Sequence, residues 1–72
     1  MKNNKLYSPG DMCYFIDNLN KILMCEVVKK ILEKDMVMYE VRDCTNWRYS
    51  VVEHKYCADK KIDLKGKKRE SK

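Results

Sequence analysis

Short apolar runs separated by turn-forming residues dominate the hydrophobic pattern of the chain. The third run alternates, so that Val37, Tyr39 and Val41 fall on one face of an extended strand. A polar, turn-forming segment at 17–20 separates the first two runs. The pattern predicts four strands, at Met12–Ile16, Lys21–Leu32, Met36–Arg42 and Trp47–Val52.

The second run is long enough to allow two interpretations. Residues 18–34 could form an amphipathic helix, but their apolar positions keep no helical stripe, and Val27-Val28 favours a strand. We therefore predict a long strand that bends partway and contributes to both halves of a small barrel. After the fourth strand, Glu53–Ala58 is predicted as a single helical turn and Lys60–Leu64 as a brief fifth strand.

Alternation along the strands also predicts which side chains are buried. The predicted core comprises Cys13, Phe15, Val27, Val41 and Val51. The first three strands then carry apolar residues on their outer face as well, which predicts a protein-binding patch. Its members are Met12, Tyr14, Ile16, Met24 and Met38. The alternative is that the bent second strand folds over this surface and buries it. Trp47 and Tyr49 share a face, and we expect Tyr49 in the core.

With 72 residues the chain has room for one domain. We predict a flexible N-terminus at 1–6, a barrel at 7–64 and a disordered basic tail at 65–72. The net charge of +5 belongs to the ends, because residues 6–58 carry seven basic and eight acidic side chains. Nucleic-acid binding is therefore the alternative function. It would use Trp47, Arg48, Lys60, Lys61, Lys67, Lys68 and Arg69.

Several other classes of function are not indicated by the sequence. No apolar run reaches the roughly 20 residues of a membrane span, and no signal peptide is evident, so a cytoplasmic location is expected. The four cysteines form no Cys-x-x-Cys pair, which predicts free thiols and no metal or other cofactor. His54 and Cys57 could pair as base and nucleophile, but an exposed turn histidine beside a core cysteine is the preferred interpretation. We predict no enzymatic activity.

Two stretches resemble a known class of barrel. Residues 10–15, Gly-Asp-Met-Cys-Tyr-Phe, followed by a short turn and Glu26–Ile31, resemble the opening of SH3-like barrels of the KOW and Tudor type. Residues 51–57 resemble their last strand and helical turn. Such barrels often carry Gly near position 25, where this chain has Cys25, so the loop of a KOW nucleic-acid motif is not indicated. The resemblance implies an all-β, five-stranded SH3-like barrel.

The chain is also similar to short, Lys- and Asn-rich barrel proteins of bacteriophages that infect Gram-positive bacteria. Some of those proteins counteract bacterial immunity. The resemblance implies an accessory protein that binds and modulates a host protein, such as a defence component, or that associates with a second copy of itself. This expectation rests on analogy, because a fold by itself does not define a function.

Overall fold

The computed structural model describes residues 6–68, and these form five β-strands with two short 3-10 turns. The strands are β1 (Met12–Ile16), β2 (Ile22–Glu33), β3 (Met36–Asp43), β4 (Tyr49–Glu53) and β5 (Cys57–Ala58). The 3-10 turns are at His54–Tyr56, between β4 and β5, and at Lys61–Leu64.

All five strands belong to one antiparallel sheet with the order β4-β3-β2-β1-β5. The prediction of an all-β domain is therefore confirmed, and the helical alternative for 18–34 is wrong. β2 is the longest strand and lies in the centre of the sheet.

The long strand β2 pairs with two neighbouring strands and is interrupted by a bulge. Its first half, Ile22–Glu26, pairs with β1, whereas Cys25–Glu33 pairs with β3. The register against β3 shifts between Val27 and Lys29, which is a β-bulge. A bulge bends the strand and increases the local twist. The sheet therefore curves around its main core.

Turn chemistry fixes the start of the sheet. Gly10 has a φ of 98°, a conformation that side-chain-bearing residues rarely adopt. This turn brings the Gly10 amide to the Val27 carbonyl at 2.8 Å, and the Val27 amide donates to the Asp11 carbonyl at 2.8 Å. In the predicted turn at 17–20, the Asp17 carboxylate accepts bonds from the amides of Leu19 and Lys21.

The main core lies on the concave face of the sheet. Four of the predicted core residues, Cys13, Phe15, Val27 and Val41, are buried as expected. The fifth, Val51, is wrong: it is 52% exposed, and its neighbour Val52 is buried instead. Val52 pairs with Tyr39, a fully buried residue, so the register places Val52 inside. The remaining members of this cluster are Tyr7, Cys25, Tyr56 and Cys57.

A second, smaller core covers part of the opposite face of β1. Ile16 is fully buried there against Ala58 and Leu64, although alternation predicted it on the outside. Leu64 belongs to the 3-10 turn at Lys61–Leu64, where the sequence predicted the fifth strand. β5 is instead the two-residue pairing of Cys57 and Ala58 with β1. The segment after β5 crosses this face of β1, because Leu64 packs there against the apolar side chain of Ile16.

The chain stays hydrogen-bonded beyond this turn. The Lys65 amide donates to the Ile62 carbonyl and the Lys67 amide to the Leu64 carbonyl. The Lys67 ammonium also donates to the Lys55 carbonyl at 2.9 Å. The rest of the predicted tail, 69–72, and residues 1–5 of the predicted flexible N-terminus lie outside the described residues.

All four cysteines are free thiols. Cys13 and Cys25 face each other across β1 and β2, and their sulfur atoms share a hydrogen bond at 3.7 Å. This bond and burial raise the pKa of the Cys25 thiol, which keeps it protonated. Cys44 is only half-buried. The three buried thiols act as small apolar core residues, a common role of free cysteine.

Burial predicts a large loss of stability for one substitution in the sheet and almost none for another. Phe15→Ala should lower the free energy of unfolding by about 3–5 kcal/mol, because it leaves a cavity in the main core. Val51→Ala should change it by less than about 0.5 kcal/mol, because the side chain faces solvent. Urea unfolding measures both. Equal losses for the two variants would contradict the register of β4.

Candidate binding surface

The structure brings together only part of the patch that the sequence predicted. Met12 and Met24 are exposed at 50% and 42%, and Tyr14 lies between them, partly buried, as the cross-strand partner of Met24. Ile16 is fully buried and is not accessible to a partner. The predicted patch is therefore reduced at the β1 end of the sheet to Met12, Tyr14 and Met24.

Met38 lies elsewhere on the sheet. It is partly buried and pairs with Ile31 on β2 and with Glu53 on β4. Ile31 is seven residues along β2 from Met24, which corresponds to roughly 23 Å in an extended strand. The bulge bends β2 between these two positions. Met38 is thus separated from the other predicted members.

A different set of apolar side chains is exposed at the β4 end of the sheet. Trp47, Tyr49 and Val51 are 65%, 59% and 52% exposed. They follow one another at every second residue, so Tyr49 and Val51 lie on the outer face and Trp47 precedes them in the loop. We call these three residues the outer aromatic face. The sequence pattern placed them on one face, but the prediction that Tyr49 lies in the core is wrong. The pairing of Val52 with the buried Tyr39 turns the face of Tyr49 and Val51 outward.

Asp43 holds the loop that presents Trp47. Its buried carboxylate accepts a bond from the Thr45 amide at 2.7 Å, and its carbonyl accepts one from the Trp47 amide at 2.9 Å. The Asp43 amide donates to the Arg48 carbonyl and closes the loop. Trp47 itself has a φ of 62°. A bulky residue in this left-handed region costs of order 1–3 kcal/mol, so the surrounding bonds must hold it there.

Arg42 connects Trp47 to the centre of the sheet. Its guanidinium carbon lies 4.5 Å from the centroid of the Trp47 ring, a cation–π contact. On its other side Arg42 forms an ion pair and hydrogen bond with Glu26 of β2. The Arg42 Nε is buried, and it has no hydrogen-bond partner among residues 6–68. The side chain therefore supports Trp47 from below and is itself fixed by Glu26.

Cross-strand pairing places the outer aromatic face in a continuous row. Tyr49 pairs with Arg42, Arg42 with Glu26, and Glu26 with Met12. Residues paired in an antiparallel sheet share a face. The row therefore runs across four strands from an exposed aromatic side chain, over one ion pair, to an exposed methionine.

The basic residues of the nucleic-acid alternative are exposed but dispersed. Arg48 lies beside Trp47, whereas Lys60 and Lys61 follow β5, at the opposite end of the strand order from β4. Lys67 is exposed and bonds to the Lys55 carbonyl. Lys68 is exposed too, and Arg69 lies outside the described residues. The sheet order does not place Lys60 and Lys61 beside Trp47.

An open groove lies between the β2–β3 turn and the 3-10 turn after β4. Its lining comprises Glu33, Lys34, Asp35, Met36, Val37, Glu53, His54 and Lys55. His54 Nδ1 is 2.9 Å from the Tyr39 hydroxyl, which in turn accepts a bond from the Tyr7 amide at 3.0 Å. The Tyr39 hydroxyl can accept from Tyr7 and donate its own proton to His54, an arrangement that pairs it with the unprotonated Nδ1 of a neutral imidazole.

This arrangement disfavours protonation of His54. Burial lowers the pKa of the imidazole below its ordinary value. The Cys57 thiol donates to the Glu53 carbonyl at 3.7 Å.

Within residues 6–68, no three His, Cys, Asp or Glu side chains are placed so that they could hold a metal ion. No helix in the same part of the chain is long and apolar enough to cross a membrane. No protein-family model matches the sequence, and no curated protein or solved structure is significantly similar to it. A proposal for the function therefore rests on the geometry of the outer aromatic face.

The neutral His54 predicts a loss of stability in mild acid. The unfolded chain takes up a proton near pH 6.5, and the folded chain does so only at lower pH. Between these two pKa values the unfolded state binds more protons, so the free energy of unfolding falls as the pH falls. Urea midpoints between about pH 8 and pH 5 measure this, because His54 is the only histidine. His54→Gln should flatten the profile, and an unchanged slope would contradict a neutral folded-state imidazole.

Proposed function

We propose that this protein is a non-catalytic module that binds another protein through its outer aromatic face. The observation that carries the proposal is the exposure of Trp47, Tyr49 and Val51 together at one end of the sheet. Exposure of each of these apolar side chains to water is unfavourable. A cluster of exposed apolar side chains on a small domain is typical of a protein-binding surface.

The way Trp47 is held supports binding rather than accidental exposure. Its left-handed backbone is maintained by the bonds of Asp43, and its ring is supported by Arg42. Backbone strain of this kind tends to occur at functional sites, where a fixed geometry lowers the entropy lost on binding. Trp, Tyr and Arg are also the residue types that contribute most at protein interfaces.

The carboxylates near the face favour a protein partner over nucleic acid. Glu26 neutralises Arg42, and Glu40 pairs with Val51 in the adjacent row. A phosphate group approaching the contact between Trp47 and Arg42 would meet the Glu26 carboxylate, with Arg48 as the neighbouring cation in sequence. The exposed lysines near β5 lie away from this face in strand order. Nucleic-acid binding through the basic ends is the competing outcome of the test below.

The partner class rests on the resemblance to short phage barrel proteins. We propose that the chain acts in the cytoplasm of a bacterial host and binds a host protein, for which a defence component is the candidate by analogy. Met12, Tyr14 and Met24 remain from the patch that the sequence predicted. Met12 lies at the end of the cross-strand row that begins at Tyr49, so these three side chains would extend the contact. No catalytic step is needed for such a role.

A pull-down from bacterial lysate, with and without nuclease, tests this function. Tyr49→Glu should remove the captured protein, because an unpaired charge in a desolvated contact costs several kcal/mol. Leu19→Glu is the matched control, since Leu19 is apolar and at 73% even more exposed than Tyr49, but lies on the β1–β2 turn. Met24→Glu tests the extension toward β1.

Truncation to residues 6–64 separates the two classes of function. Loss of the basic ends should leave protein capture intact, whereas phosphate binding and its salt dependence would largely disappear. If truncation abolishes binding while Tyr49→Glu and Met24→Glu retain it, binding depends on the basic ends and the proposal is wrong.

A further inference from the structure

The free edge of β4 differs from the other edge of the sheet. β3 is the only strand that pairs with β4 in residues 6–68. The opposite edge, β5, is two residues long and is followed by Asp59, Lys60 and Lys61. Short length and charges are devices that prevent edge-to-edge association. β4, with the sequence Tyr-Ser-Val-Val-Glu, contains neither Lys nor Pro and has no register shift against β3.

The hydrogen-bond pattern shows which backbone groups face this edge. The Asp43 amide donates to the Arg48 carbonyl at 2.8 Å, which makes 43 and 48 a hydrogen-bonded pair. Hydrogen-bonded and non-bonded pairs alternate along an antiparallel ladder. Val41–Ser50 and Tyr39–Val52 are therefore bonded pairs, and Glu40–Val51 is not. The amide and carbonyl of Tyr49 and Val51 consequently point away from β3, toward the open edge.

We propose that a second copy of this chain occupies the edge, with the two β4 strands antiparallel about Val51. The side chains of residues 49, 51 and 53 point to the outer face, because side chains alternate along a strand. The outer faces of the two copies therefore align only when odd-numbered residues pair with odd-numbered residues. Centring on Val51 places Val51 opposite the Val51 of the other copy and Tyr49 opposite Glu53. This register overlaps all of β4, whereas a centre at 50 or 52 loses one outward-facing pair.

The proposed contact is self-complementary in charge as well as in hydrogen bonds. No like charges face each other within β4, because Glu53 meets Tyr49 and the axis passes between two valines. β-branched residues opposite one another are favourable cross-strand pairs. The dimer joins two outer aromatic faces side by side into one platform. It goes beyond the proposed function, since it requires no other protein.

Sedimentation of the purified full chain in reducing buffer tests the dimer. The monomer mass is 8.7 kDa, and the mass should double across a series from about 1 μM to about 1 mM. Val51→Pro should give a monomer, because it removes an outward-facing donor and no bond to β3. Val51→Lys should do the same by placing a charge on the edge. Val28→Lys is the matched control, since Val28 is exposed on the central strand β2, and it should remain dimeric.

Cross-linking tests the register. In a Cys44→Ser background, Val51→Cys should form a covalent dimer on mild oxidation, whereas Val28→Cys should not. A wild-type chain that stays monomeric throughout the series overturns the proposal, as does a dimer that persists in folded Val51→Pro. Circular dichroism establishes folding of each variant. A monomeric chain that still captures a partner through Tyr49 would overturn the dimer and leave the proposed function standing.

Discussion

The bend in β2 is the constraint on which the rest of the structure depends. A single sheet of this size has no helical layer to cover it, so it must curve until its own strands enclose a core. β2 makes this possible by pairing with β1 through its first half and with β3 through its second, with the bulge between Val27 and Lys29. Tyr39, Val41 and Val52 reach the same interior as Phe15 only because of that curvature.

Curvature also determines which outer surfaces remain free. At the β1 end, the chain after β5 returns across the sheet and inserts Leu64 over Ile16. Within residues 6–68 no comparable segment pairs with β4, and the buried carboxylate of Asp43 holds the loop that exposes Trp47. The domain is thus asymmetric, with one end closed by its own C-terminal segment and the other end presenting aromatic side chains and unpaired backbone groups.

This asymmetry connects the two proposals. A partner would find a fixed Trp47–Arg42 stack and an exposed tyrosine on the outer face. A second copy would find the adjacent backbone edge of β4, which contains neither the lysine nor the proline that commonly blocks such an edge. The binding face uses the side chains of Trp47, Tyr49 and Val51, and the dimer uses the outward-facing backbone of β4 with Val51 at its centre. The two proposed contacts therefore lie side by side on β4 and share Val51.

The sequence by itself determined the all-β class, the positions of the first three strands and most of the core, because alternation and turn residues are local properties. Cys13, Phe15, Val27 and Val41 are buried as alternation predicts. Alternation also placed Trp47, Tyr49 and Val51 on one face, but it cannot say which face is inside. That depended on the pairing of Val52 with Tyr39, and the burial of Ile16 depended on the return of Leu64. Both are contacts between residues distant in sequence, and only the tertiary structure decides them.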